Sequence, residues 1–266
     1  MPEADTELLV ASLREAGAIA RDYFTGVYKV WRKSDGNPVT DADIAIDEFL
    51  KERLTGARPG YGWLSEETAD DRARLKRART FVVDPIDGTH GFLKHRPQFT
   101  IVAAVVEDGR PVAAGVYNPL TEEMYQATLG LGARKNGKAI HVSALADFTN
   151  ARFLATRTFL DPSQWATPWP EGITVETRAS IAYRMALVAE GAFDALISLS
   201  NKSDWDLAAG ELIIHEAGGR VSTGDGTTLL YNRETPEQAS VIGAPPDLHR
   251  QLIARLCEHH HSELPD

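Results

Sequence analysis

Phe81-Val82-Val83-Asp84-Pro85-Ile86-Asp87-Gly88-Thr89 is the stretch on which the reading of this chain turns. Its three leading apolar residues, two of them β-branched, predict the end of a buried strand. The run then meets an aspartate, a proline, a second aspartate and a glycine. Strand-breaking residues and two carboxylates thus arrive together at the mouth of a sheet. A buried carboxylate without a partner is costly. A hard divalent cation such as Mg²⁺, which prefers carboxylate and carbonyl oxygens, is one partner that removes the cost. The other reading is local: the aspartates cap a turn and the helix after it. The nonamer alone leaves both open.

Upstream of it, Leu9, Leu13, Ala16, Ala20, Tyr23 and Phe24 recur at helical spacing and predict an amphipathic helix over 4–24, closed by Gly26. Lys33 to Pro38 is a loop by its Asp-Gly and Asn-Pro pairs. Thr40 followed by Asp43 resembles a helix N-terminus, with Ile46, Phe49, Leu50 and Leu54 as the buried face. Trp63-Leu64-Ser65 is a short apolar approach to Glu66-Glu67, and the charged segment from Asp70 to Arg79 is expected to be a solvated connection. Downstream, Phe99–Val106 and Pro111–Tyr117 predict a hairpin about Glu107-Asp108-Gly109-Arg110. Glu123–Thr128 and Gly132–Lys135 continue the strands, and Asn136-Gly137 marks a tight turn. After about residue 150 strands and helices alternate. Strands are expected at 152–156, 193–199, 220–222 and 240–243, with helices at 180–191, 206–217 and from Pro246. The division predicts an α+β lobe over 1–150 and an α/β lobe over 151–266.

Composition narrows the partners. At 266 residues the chain suits one domain or two closely packed lobes. Its 43% hydrophobic and 25% charged residues are those of a globular protein. A formal net charge of −10 argues against nucleic acid or an anionic membrane as partner, while a metal can still invert the sign locally for a phosphorylated small molecule. The single Cys257 permits no internal disulfide and fits a reducing cytoplasm. No leader peptide or membrane-spanning run is expected.

Acidic residues stand at four element boundaries: Asp43, Glu66-Glu67, Asp84 with Asp87, and Asp206 after Trp205. Each has a bland reading. Asp43 would complement a helix dipole, Asp206 would cap a helix, and Glu66-Glu67 would be exposed loop charge. Taken together and in order, the segments resemble the inositol monophosphatase superfamily of Mg²⁺-dependent, lithium-sensitive phosphatases. The resemblance lies in Gly36-Asn37-Pro38-Val39-Thr40-Asp41-Ala42-Asp43, Ser65-Glu66-Glu67, Asp84-Pro85-Ile86-Asp87-Gly88-Thr89 and Trp205-Asp206 leading to Glu216-Ala217-Gly218-Gly219.

The resemblance implies a layered α-β-α-β-α sandwich and roles for the matching positions. Glu66, Asp84 and the carbonyl oxygen of Ile86 would hold one Mg²⁺. Asp84, Asp87 and Asp206 would hold a second, and a third, weaker ion would sit near Glu66. Asp43 and Thr89 would orient or deprotonate the attacking water, and Gly88 and Thr89 would offer backbone N–H groups to the phosphate. Such ions neutralise the carboxylates and clamp the attacking and leaving oxygens in line. Many relatives form homodimers.

Substrate choice rests on fewer residues. Inositol phosphatases of the family usually carry a glutamate where this chain has Leu199. The resemblance therefore leans towards the 3′(2′),5′-bisphosphate nucleotidase branch, with Leu64-Ser65-Glu66-Glu67 and the Ser180/Arg184 pair in support. Thr89-His90-Gly91-Phe92 departs from that branch, which commonly has Thr-Lys-Glu-Phe. Arg184 is expected to meet a second phosphate or a ribose, and His90 to touch substrate. Inositol 1-phosphate, histidinol phosphate and sugar phosphates are the alternative substrates. A regulatory binding protein that keeps the fold is the alternative of another class. Cys257 is expected to be a bystander and His259–His261 a solvated tail.

Overall fold

Apolar runs too long to alternate need cover on both faces, and this chain supplies it. The computed structural model describes residues 2–33, 36–165 and 167–262. Helix α1 (Pro2–Thr25) leads into a two-stranded ribbon of an exposed strand, β1 (Val30–Arg32), and a buried one, β2 (Pro38–Thr40), and then into α2 (Asp41–Ala57). Strands β3 (Gly62–Ser65), β4 (Arg79–Asp87), β5 (Thr100–Glu107), β6 (Arg110–Asn118), β7 (Glu123–Thr128), β8 (Ala133–Lys135) and β9 (Lys138–Ala139) form one sheet in that order. A short helix, α3 (Thr89–Leu93), follows β4. All neighbours in this sheet are antiparallel except β3 and β4, which run parallel.

A second sheet is mixed, as its alternating strands and helices imply. It takes the order β11-β10-β12-β16-β14, from β10 (Arg152–Leu154), β11 (Thr174–Glu176), β12 (Ala195–Ser198), β14 (Arg220–Ser222) and β16 (Val241–Ala244). Strand β10 is parallel to both β11 and β12, while β16 is antiparallel to β12 and β14. A small pair, β13 (Lys202–Ser203) and β15 (Glu237–Gln238), lies apart. Helices α4 (Ile181–Ala189), α5 (Asp204–Glu216) and α6 (Pro246–Ser262) complete the fold.

The core shows the layering through strand periodicity. Successive strand residues face opposite ways. Phe81, Val83, Ile101, Ala103 and Val105 share a cluster with Leu9, Leu13, Ile46 and Leu50 of α1 and α2. Val82, Val102, Ala104 and Val106, one residue out of step, share another with Met185 and Val188 of α4 and with Leu212 and Ile213 of α5. Leu154, Leu196 and Val241 of the second sheet join α4 and α5 from the far side. Their neighbours Phe153, Ile197 and Ile242 meet Leu248, Leu252 and Leu256 of α6. The order is therefore helix pair, sheet, helix pair, sheet, helix: an α+β, α-β-α-β-α sandwich. The middle cluster takes residues from both sides of residue 150.

Two expectations need correction. The charged segment after Asp70 is not simply solvated: it holds a 3₁₀ turn over Ala73–Lys76, and Arg74 is 1% exposed. Its guanidinium meets Asp70 at 2.8 Å, Asn232 Oδ1 at 2.7 Å and the Arg233 carbonyl at 3.0 Å. An arginine with its fork filled can be buried. The backbone of His259–His261 continues α6 rather than forming a tail, and their side chains lie outside the described residues. No helix among the described residues is long and apolar enough to cross a membrane.

Candidate active site

Asp84 and Asp87 are three residues apart, so a regular strand would send them to opposite faces. The pairing of β4 with β5 shifts register between Asp84 and Asp87, around Pro85, which has no N–H to give the ladder. The irregularity turns both carboxylates to one side. There they meet Asp206, and one ligand oxygen from each of the three lies within 4.8 Å of the others.

Helix starts fix these carboxylates. Asp206 does not begin its helix, as expected from the sequence. The helix begins at Asp204, which is buried and accepts from Asn232 N at 2.7 Å and Gln238 Nε2 at 2.9 Å. Asp206 stands in the third position and accepts from Ser203 N at 2.9 Å. Asp43 holds the same place in α2, where Thr40 N (2.8 Å) and Thr40 Oγ1 (2.6 Å) both donate to its Oδ2. Asp87 serves as a cap after all, though not for the helix that follows it. It takes Ser180 Oγ at 2.6 Å, Ala182 N at 2.7 Å and Ile181 N at 3.2 Å, the start of α4. Three helix N-termini, each favourable to negative charge, thus hold three carboxylates.

The turn after β4 completes the site. Ile86 buries its side chain, and its carbonyl accepts from Thr89 Oγ1 at 3.1 Å. Asp84 Oδ1 accepts from Ile86 N at 3.0 Å. Gly88 has φ +94°, and a Cβ there would lie 2.9 Å from Ser180 N, so the turn admits only glycine. Glu66 lies at the end of β3, with its N–H on the Val83 carbonyl at 3.3 Å. Asp47, one turn beyond Asp43, accepts from Ser65 Oγ and from Thr68 Oγ1, at 2.6 Å for the latter, and so fastens the Glu66-Glu67 turn. Arg184 is half-buried on α4, donates to the Ser180 carbonyl at 3.3 Å, and its charge is felt with those of Asp87 and Asp206. His90 is exposed and makes no hydrogen bond or ion pair among the described residues.

Three residues escaped the sequence reading: Lys33, which bonds Glu66 and Glu67; Ser180 in its role as Asp87's donor; and Lys202, whose ammonium feels Asp206 and Asp87. The loop sequence around Lys33 carried no signal for it.

Electrostatics show how the site treats charge. Burial holds the Asp84 carboxyl well above the usual range, and the charges of Glu66, Asp87, Asp206 and Asp43 push it further. Burial raises Asp87 to about 6 against its three donors. Burial and then Asp87 raise Asp206 to about 8. Burial also lifts Asp43 to about 6. Each group is disfavoured as an anion here, and an all-oxygen set of that kind fits a hard divalent cation, whose charge offsets that cost.

The model of the Inositol monophosphatase family matches residues 1–262. The chain belongs to the inositol monophosphatase family. It is 33% identical over 262 residues to an inositol-1-monophosphatase of Caulobacter vibrioides, covering 94% of this chain and 99% of that one. It is 30% identical over 245 residues to the 3′(2′),5′-bisphosphate nucleotidase CysQ of Aggregatibacter actinomycetemcomitans, covering 88% and 90%. Overall likeness therefore does not single out the nucleotidase branch. Among solved structures, the IMPase of Thermotoga maritima superposes with a TM-score of 0.83 at 25% identity, over 98% of this chain and 99% of that one. The protein is a phosphoric monoester hydrolase whose acidic cluster is the metal-binding centre typical of this Mg²⁺-dependent family.

Proposed function

We propose that the site hydrolyses a small phosphate monoester bearing a second anionic group, best matched by a 3′(2′),5′-bisphosphate nucleotide. The observation that carries this is a pair of cations held beside the cluster: Arg184 bonds the carbonyl of Ser180, whose hydroxyl Asp87 accepts, and Lys202 directly precedes Ser203, whose N–H Asp206 accepts. One phosphate needs only metal and backbone donors, whereas a second asks for cations of this kind. Leu199, 48% exposed, offers no carboxylate for ring hydroxyls.

In this reading Asp84, Asp87 and Asp206 would hold one Mg²⁺; Glu66, Asp84 and the Ile86 carbonyl would hold another; and a third, weaker ion would sit near Glu66. Bound Mg²⁺ supplies charge neutralisation and acidifies water. The Asp43 carboxylate, steadied by Thr40, takes the proton of the attacking water, with the Thr89 hydroxyl setting its direction. The Gly88 and Thr89 N–H groups hold the scissile phosphate, and Arg184 holds the second anion.

Inositol 1-phosphate is the second reading, favoured by the likeness to the Caulobacter relative along nearly its whole length. A protein that acts by binding alone has no use for four strained carboxylates, which disfavours the regulatory reading. Phosphate release from adenosine 3′,5′-bisphosphate, inositol 1-phosphate and histidinol phosphate in Mg²⁺ tests the order. The bisphosphate should give the highest kcat/KM, and Arg184→Met should lower that value by roughly tenfold or more, as loss of a charge-assisted bond does. Preference for inositol 1-phosphate would overturn the assignment.

A further inference from the structure

Two ion pairs tie Lys33 to the turn after β3. Lys33 Nζ stands 2.8 Å from Glu66 Oε1 and 2.7 Å from Glu67 Oε1, with only 23% of the lysine side chain exposed. Its backbone closes the β1–β2 ribbon: the Lys33 N–H donates to the Asn37 carbonyl at 2.8 Å, and the Gly36 N–H donates to the Lys33 carbonyl at 2.9 Å. Every residue of β1 is exposed, including Trp31 at 42%, so that side of the ribbon is held lightly. Its other strand ends in Thr40, the residue that binds Asp43. The Glu66 carboxylate is also the one whose charge bears on Asp84 and Asp43.

An ammonium and a divalent ion cannot both claim the same oxygen at full strength, because each repels the other at this range. We propose that Lys33 is a tethered placeholder cation that neutralises Glu66 and Glu67 in the metal-free protein and gives up Glu66 when a divalent ion binds. It keeps Glu67. The inference rests on the reading of Glu66 as a metal ligand. It makes Lys33 a positioning residue that sets metal affinity by competition.

Calorimetric titration of the full chain with Mn²⁺ separates competition from simple scaffolding. Lys33→Met should bind Mn²⁺ roughly fivefold more tightly, the worth of a part-exposed ion pair. Lys33→Arg should bind as the wild type does. Weaker binding by Lys33→Met would mean that the lysine only positions Glu66, and would overturn the proposal. The wild type gives a check that needs no variant. Amine labelling of Lys33, read by mass spectrometry, should rise several-fold when Mn²⁺ is bound, and unchanged labelling at proven saturation would overturn the proposal as well. Absence of any Mn²⁺ binding to the wild type would sink the metal reading of Glu66 itself, a result distinct from both.

Discussion

Asp87 does two jobs at once, and the balance between them sets how the protein answers to pH. It caps α4 through Ser180, Ile181 and Ala182, and it stands in the carboxylate cluster. Burial outweighs the cap and raises its pKa to about 6, and burial with the Asp87 charge raises Asp206 to about 8. Both values lie above the usual carboxylate range, so between about pH 4 and 8 the folded state binds more protons than the unfolded state. The stability these groups contribute is whole below about pH 4 and is lost as pH climbs through 6 and 8. Melting temperature in EDTA should therefore fall from pH 5 to pH 8, and saturating Mg²⁺ should remove the fall. A rise over that window in EDTA would contradict the burial argument. The aspartates were legible in the sequence because two carboxylates at a strand end are unusual. Their mates Lys33, Ser180 and Lys202 were not, because a lysine in a polar loop or a serine before a helix looks the same whether or not it meets a distant carboxylate.

At the scale of elements, the site is made from ends: the irregular end of β4 and the first turns of α2, α4 and α5. The Thr40–Asp43 capping pair ties element to chemistry, since one carboxylate oxygen both closes the helix start and is held in place by it. Thr40→Ala should cost about 1 kcal/mol of stability, the usual worth of a cap, and lower kcat more than it raises KM. Urea unfolding together with steady-state kinetics measures both, and a loss of stability with unchanged kcat would remove Asp43 from the proposed chemistry. Strands β5 and β6 were readable because burial on both faces writes them as long apolar runs. The ribbon β1–β2, edge strand β11 and the two-residue strands β9, β13 and β15 escaped notice, since two or three residues display no period. The parallel pairing of β3 with β4 was hidden for a related reason: Trp63-Leu64-Ser65 reads only as a short apolar approach and carries no sign of direction.

Across the whole molecule, the five layers follow from strand periodicity once the clusters are known, but the sequence displays only the residues and not which face they share. The stacking was therefore legible through resemblance and not through pattern. The structure adds the physical cost: the layers carry a set of carboxylates into a place where burial disfavours their charge. Such a cost is accounted for by function. Asp84 isolates the point best, because it is buried, feels every other charge of the cluster, and accepts only the Ile86 N–H among the described residues. Phosphate release at saturating Mg²⁺ by Asp84→Asn, read beside its metal-free melting temperature, is the most direct test. The account predicts a loss of roughly a thousandfold or more in kcat with a melting temperature equal to or above that of the wild type. Activity near that of the wild type in a folded Asp84→Asn protein would contradict it.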